Sequence, residues 1–165
     1  MLSFDMLESY GAQDVSVSLY GYDLTGFADG TFLDLKWNTS TITTRPSVSG
    51  RVSATRAGNA SGTVTLSLLQ QSLSNSMMET LYMATLQGDK DYIGNTENRM
   101  LIIRDNSTDS YTVGVGCYVA KASTRSYSNS AKSTSWEITC EKLIKIPKRF
   151  DKNQVGVTTG VNNNV

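Results

Sequence analysis

The sequence has no histidine, only two cysteines and two prolines, no surplus of either charge and no long apolar run. Without histidine it lacks the commonest general base, the usual zinc ligand and every Ser-His-Asp arrangement. Cys117 and Cys140 match no metal-ligand spacing and sit in no nucleophile motif. Fifteen basic residues balance fifteen acidic ones, which removes the large positive charge that marks nucleic-acid and membrane-surface binders. No stretch approaches the roughly 20 apolar residues of a membrane helix, so no membrane partner is expected. The amino terminus, "MLSFDMLESYGAQD", carries acids where a secretory signal carries bases. Cytoplasmic synthesis is therefore expected, with Cys117 and Cys140 as reduced, buried thiols on strands, and the sequons at Asn38, Asn59 and Asn106 carry no meaning.

The motifs that remain are weak. Asp29 with Asp34, and Asp89 with Asp91, are close in sequence but have nothing else of a glycosidase pair. The acidic "DNSTDS" from Asp105 to Ser110 lacks the glycine and the terminal glutamate of an EF-hand loop and reads as a turn between strands. Gly114 and Gly116 lack the third glycine and the following helix of a dinucleotide fingerprint, so a bend or a close sheet contact is expected there. No catalytic residue, cofactor-binding residue or metal ligand is assigned, and the chain is not expected to be an enzyme.

What is present is alternation with period two, the pattern of a pleated strand with one apolar face. It runs through "VSVSLY" (Val15 to Tyr20), "TFLDLKW" (Thr31 to Trp37), "TVTLSLL" (Thr63 to Leu69), "MLIIRD" (Met100 to Asp105), "YTVGVGCYVAKA" (Tyr111 to Ala122) and "STSWEITCEKLIKI" (Ser133 to Ile146). The protein is mainly β. Its 40 serines and threonines suit strand faces that stay wet yet hydrogen-bond to neighbours. One segment has helical spacing, with Met77, Met78, Leu81, Tyr82 and Leu86 at intervals of three and four. A helix over about 74–87 is expected, with a Ser76/Glu79 capping box and termination at Gly88. Its apolar stripe reads as a lid over an open end of the sheets.

The stretch 38–60 is long, basic and rich in small residues, and it reads as a long hairpin or arm. Residues 147–165 end in "GVTTGVNNNV" and read as a C-terminal extension to a single domain, 1–146. Charge is segregated. Residues 1–35 hold six acids, Asp5, Glu8, Asp14, Asp23, Asp29 and Asp34, and no base, whereas the arm holds Arg45, Arg51 and Arg56 and no acid. Either these are solvated faces of a monomer, or they are surfaces that meet between subunits.

In order and spacing over about residues 15–105, "YGYDLTGFADGTF", "SGRVSATRAGNASGTVTLSLLQQSLSNSMMETL" and "MLIIRDNS" resemble the tail tube proteins of contractile-tailed bacteriophages. The family shows a G-x-x-[LI]-T-G-[FY]-A-D-G turn, an S-G-T-[VI]-T-L-x-L-x-Q strand and an S-x-S-N sequence (here Gln71, Ser72, Ser74 and Asn75) before a helix. The resemblance implies a β-sandwich or barrel-like tube subunit with one short α-helix and an extended loop or hairpin arm. It implies hexameric rings stacked into a hollow tube, placed in a virion tail and assembled in the host cytoplasm. Sheath, tape-measure, baseplate and tail terminator proteins are its implied neighbours, and DNA passes through the lumen without specific binding. On that reading Gly21, Gly26 and Gly30 make tight turns, Asp29 accepts backbone hydrogen bonds, and Arg45, Arg51 and Arg56 lie at contacts between subunits or rings. A carbohydrate-binding β-sandwich and the tube protein of a tailocin or injection device fit the same sequence.

Overall fold

The computed structural model describes residues 14–56, 58–88 and 99–148. Nine strands and one helix follow in the order β1 (Val15–Leu19), β2 (Tyr22–Leu24), β3 (Leu33–Trp37), β4 (Ile42–Pro46), β5 (Val52–Arg56), β6 (Gly62–Leu69), α1 (Leu73–Gln87), β7 (Met100–Asp105), β8 (Ser110–Ala122) and β9 (Ser133–Ile146). The calls that fall on 1–13, 89–98 and 149–165, including Asp5, Glu8, Asp89, Asp91 and most of the C-terminal extension, lie outside the described residues. Among those described, no helix is long and apolar enough to cross a membrane.

Seven strands form one antiparallel sheet in the order β2-β1-β7-β8-β9-β6-β3. β6 shows why: its residues alternate between buried and half-buried along its whole length, and Val64, Leu66 and Leu68 are fully enclosed. They share the core with Val17 and Leu19 from β1, Leu101 from β7, and Ile138 and Trp136 from β9, the register partners of Val64 and Leu66. The sheet curls, because a groove of about 210 Å³ is lined jointly by Val15 of β1, Leu33 and Leu35 of β3, Ile103 of β7 and Lys145 of β9.

The segment after β2 completes the curl. β2 pairs with β1 at one end of the strand order, and a few residues later Phe27 bridges Leu68 of β6 near the other end. There the Leu69 N–H donates to Gly26 O at 2.8 Å and the Ala28 N–H donates to Ser67 O at 3.0 Å. Residues 26–28 thereby tie the chain that follows one edge strand to β6, beside the other edge strand, and the sheet is curled and barrel-like.

Helix α1 packs against β6 and β8, with Met78 fully buried and Met77, Leu81 and Tyr82 packed against the core. Leu86, the last residue of the expected stripe, is exposed. Gly88 terminates the helix in the left-handed conformation at φ 68° and donates to Ala84 O and Thr85 O. The expected capping box is not formed. Ser72 is the N-cap, with extended backbone and a side chain that accepts from the Asn75 N–H, so Ser76 lies inside the first turn and Glu79 turns to Asn75 Nδ2 at 3.1 Å. The helix thus spans nearly the expected residues, but its cap lies one turn before Ser76, at Ser72, which has the extended conformation that an N-cap requires.

Candidate assembly surfaces

The first two of the three sequence stretches that carry the family resemblance meet in space. The Thr25 N–H donates to Ser74 Oγ at 2.8 Å. A Cβ on Gly26 would lie 2.4 Å from Ser72 Cβ, and Gly26 also has φ 75°. The next residue of the second stretch, Asn75, is fully buried. Its Oδ1 accepts from the Trp136 indole at 2.9 Å and its Nδ2 donates to Gln70 O at 3.2 Å. The helix N-terminus, the barrel seam and the central tryptophan thus form one joint. Gly21 and Gly30 also have positive φ, 83° and 82°, but a Cβ on either would meet open space. Tyr20 and Gly21 make the two-residue turn of the β1–β2 hairpin, both with positive φ. Asp29 is exposed beside Gly30 and accepts no hydrogen bond among the described residues.

The arm is a separate two-stranded sheet, β4 with β5, in which every residue is exposed. Ser47 N–H to Arg51 O at 2.7 Å and Gly50 N–H to Ser47 O at 2.9 Å close its tip. Register pairs Ile42 with Arg56, Thr44 with Ala54 and Pro46 with Val52, while Thr43 with Thr55 and Arg45 with Ser53 alternate between them. One face of the ribbon therefore carries Ile42, Pro46, Val52 and Arg56, and the other carries threonine, serine and Arg45. Arg45 and Arg56 lie on opposite faces and Arg51 lies in the turn, so the three arginines form no single patch.

A second surface escaped the sequence reading. Unbroken alternation in β8 would put Val113, Val115, Cys117 and Val119 on one face. In the structure Thr112 and Gly114 are buried along with Cys117 and Val119, and Val113 and Val115 are only half-buried. The inward face changes phase at Gly116, whose φ is 63° and whose added Cβ would lie 2.7 Å from Glu141 Cδ. β9 changes phase opposite it, from Cys140 to Leu143. Ile102, Val113 and Ile144 are consecutive register partners across β7, β8 and β9 and form an apolar row on the outer face, with Tyr111 and Ile146 in the next row. Ile146 is 52% exposed. The only sequence signal is the two glycines flanking Val115.

Chemistry is sparse. Among the described residues no group of three or more Cys, Asp or Glu side chains could hold a metal. Open clefts flank Trp136. One of about 380 Å³ has Lys121, Ser135 and Glu137 in its lining, and one of about 310 Å³ has Glu79, Tyr82, Met83 and Arg125. Each holds a single carboxylate, and that of Glu79 is ion-paired with Arg125. Neither has the paired acids of a glycosidase. Tyr20 donates to Cys117 O at 2.6 Å. Its phenol is pushed up to about 12, first by burial and then by Cys117. Hydrogen bonds from Ser107 and Thr108 hold the half-buried Asp105 below the usual carboxylate range, as expected of a β7–β8 turn.

No protein-family model matches the chain, and no curated protein matches it. Solved structures do. A chain from the anti-feeding prophage cap, a tube terminating cap, superposes with a TM-score of 0.57 at 12% identity, over 88% of this chain and 97% of that one. A chain from the sheath-tube complex of an extracellular contractile injection system in the extended state gives 0.56 at 10% identity, over 87% and 95%. A chain from the virion of a native gene transfer agent particle gives 0.55 at 10% identity, over 84% and 99%. At such identities the likeness establishes the fold. This chain has a mainly β fold with one helix that is also found in chains of contractile injection systems and of a gene transfer agent particle.

Proposed function

We propose that the protein is the structural subunit of a tail-type tube and has no enzymatic role. Six copies close a ring, rings stack into a hollow tube, and DNA passes through the lumen during ejection. Its neighbours are sheath, tape-measure, baseplate and terminator proteins of a virion tail assembled in the host cytoplasm. The observation that carries this reading is the fold shared, over more than four fifths of the chain, with chains from tube-containing assemblies. The surfaces agree with it. A monomer gains nothing from an arm whose apolar face is bare, or from an apolar row across three central strands. Both are explained if neighbouring subunits cover them. A tailocin or injection device uses the same architecture without DNA, and the neighbouring genes distinguish the two.

Negative-stain microscopy of the purified protein, together with light scattering across a wide range of concentration and salt, tests the reading. Rings or tubes are expected. Monomer under every condition overturns it. Limited proteolysis should cut the arm in free subunits and spare it in tubes.

A further inference from the structure

Cys117 on β8 and Cys140 on β9 are register partners, and both are fully enclosed. The Cys117 N–H donates away from β9, to Arg99 O at 3.0 Å. Toward β9 the residue therefore forms the non-hydrogen-bonded kind of antiparallel pair, in which side chains approach most closely and Cα atoms lie about 4.5 Å apart. That separation falls inside the range of about 4.4–6.8 Å that a disulfide spans. The two free thiols are in contact, with the sulfurs 2.9 Å apart. A Cβ on Gly114 would lie 2.8 Å from each sulfur, so glycine at that position is what leaves room for the pair. The S–H bond from Cys117 to Cys140, with burial, holds the Cys117 thiol above its ordinary range.

We propose that Cys117 and Cys140 are a reversible disulfide site within the subunit, closed by a thiol oxidant. With a small-molecule disulfide such as oxidised glutathione, one protein thiolate attacks a glutathione sulfur and releases one glutathione. The second protein thiolate then attacks the mixed disulfide and releases the other. Two S–H bonds are lost from the protein and one S–S bond is gained, while the glutathione disulfide is reduced by the same two electrons and takes up the two protons. Because both sulfurs are enclosed, exchange takes place during folding or local opening. The closed bond fastens the two longest strands together beside the phase change at Gly116. None of this depends on tube assembly.

The test is to refold the full chain in a buffer of reduced and oxidised glutathione, alkylate it, and measure intact mass, non-reducing gel mobility and Tm. Expected are the loss of two hydrogens, no alkylated thiol, monomeric mobility, and a Tm roughly 5–10 °C above that of the reduced protein. Cys140→Ser and Cys117→Ser should each abolish the rise. Two alkylated thiols, a persistent glutathione adduct, disulfide-linked dimers, or a Tm no higher than that of the reduced protein would each overturn the proposal. If refolding fails, diamide added to the native protein in urea below its unfolding midpoint gives the same readouts.

Discussion

β6 and the arm strands are written in similar residues, β-branched and small hydroxyl side chains in alternation, yet every second residue of β6 is buried and none of β4 or β5 is. Sequence pattern makes both into strands. Burial is supplied by what packs on the inward face, and only β6 has that, from α1 and from the strands across the curled sheet. A two-stranded ribbon standing alone is marginal in water, so the arm contributes little to the subunit and depends on whatever covers its apolar face. On the proposed assembly, the curled sheet encodes the fold of one copy and the arm its meeting with others. Substitutions should therefore split into two groups: barrel changes that lower subunit stability, and arm changes that leave it intact while altering assembly.

The largest effect on stability is expected at the joint of helix and barrel. Trp136→Ala removes the largest enclosed side chain and leaves the buried Asn75 Oδ1 without its donor. Truncation of a buried tryptophan costs about 3–5 kcal/mol, so the urea midpoint should fall sharply or the chain should fail to fold. A midpoint close to that of the unmodified protein would mean that α1 is not anchored through this joint.

The loop glycines give a graded test within one stretch of chain. Gly21→Ala and Gly30→Ala meet open space and cost only the left-handed backbone, about 1–2 kcal/mol. Gly26→Ala bears the same backbone cost and also drives a methyl into Ser72, adding about 1–3 kcal/mol of overpacking. Equal midpoints for all three variants would show that the seam does not press on the helix N-terminus.

How far these sites were legible follows from what fixes each one. The strands and the helix are local patterns, and the sequence shows them directly. The position of β1 beside β7 is set by pairing across some eighty residues, and alternation alone carries no such register. The capping box failed because Ser72 and Ser76 both precede an apolar run, and the choice between them depends on the conformation of Ser72 and on the contact of Thr25 with Ser74. The phase change at Gly116 required a positive φ, which a glycine permits but does not announce. It hid the outward row of Ile102, Val113 and Ile144. It also left Cys117 and Cys140 looking like separate core thiols.

A smaller effect is expected at Tyr20. Tyr20→Phe keeps the ring and removes the hydrogen bond to Cys117 O, which costs about 1 kcal/mol. The phenol is raised to about 12 in the folded protein from its ordinary value of 10.0, so above about pH 10 the unfolded chain loses a proton that the folded chain keeps. Its contribution is full below that pH and is lost as pH rises through about 12. The unmodified protein should lose stability across this window faster than Tyr20→Phe, as measured by urea midpoints. Parallel curves would mean that the phenol is not shielded by the barrel.

The smallest effect on the subunit, and the one that most sharpens the contrast, is expected in the arm. Reversing Arg45, Arg51 and Arg56 to glutamate changes only exposed positions, so the unfolding free energy should change by less than about 0.5 kcal/mol. Assembly should respond differently. If the arginines meet the acids of 1–35 on a neighbouring copy, each pair contributes at most about 1 kcal/mol, but a ring repeats it at every subunit. The triple reversal should then shorten or abolish tubes, and high salt should weaken the unmodified tubes in the same direction. Because Arg45 and Arg56 lie on opposite faces of the ribbon, the single reversals resolve more than the triple. Arg56→Glu places a charge of the wrong sign beside Ile42, on the face that burial against a neighbour would cover, whereas Arg45→Glu alters the polar face. A larger loss of tube length from Arg56→Glu means that the apolar face docks on the next copy and the charge acts at its margin. A larger loss from Arg45→Glu reverses that orientation. Full-length tubes from the triple reversal would show that stacking rests on backbone pairing and apolar contact, with the segregated charges serving only as a solvated surface.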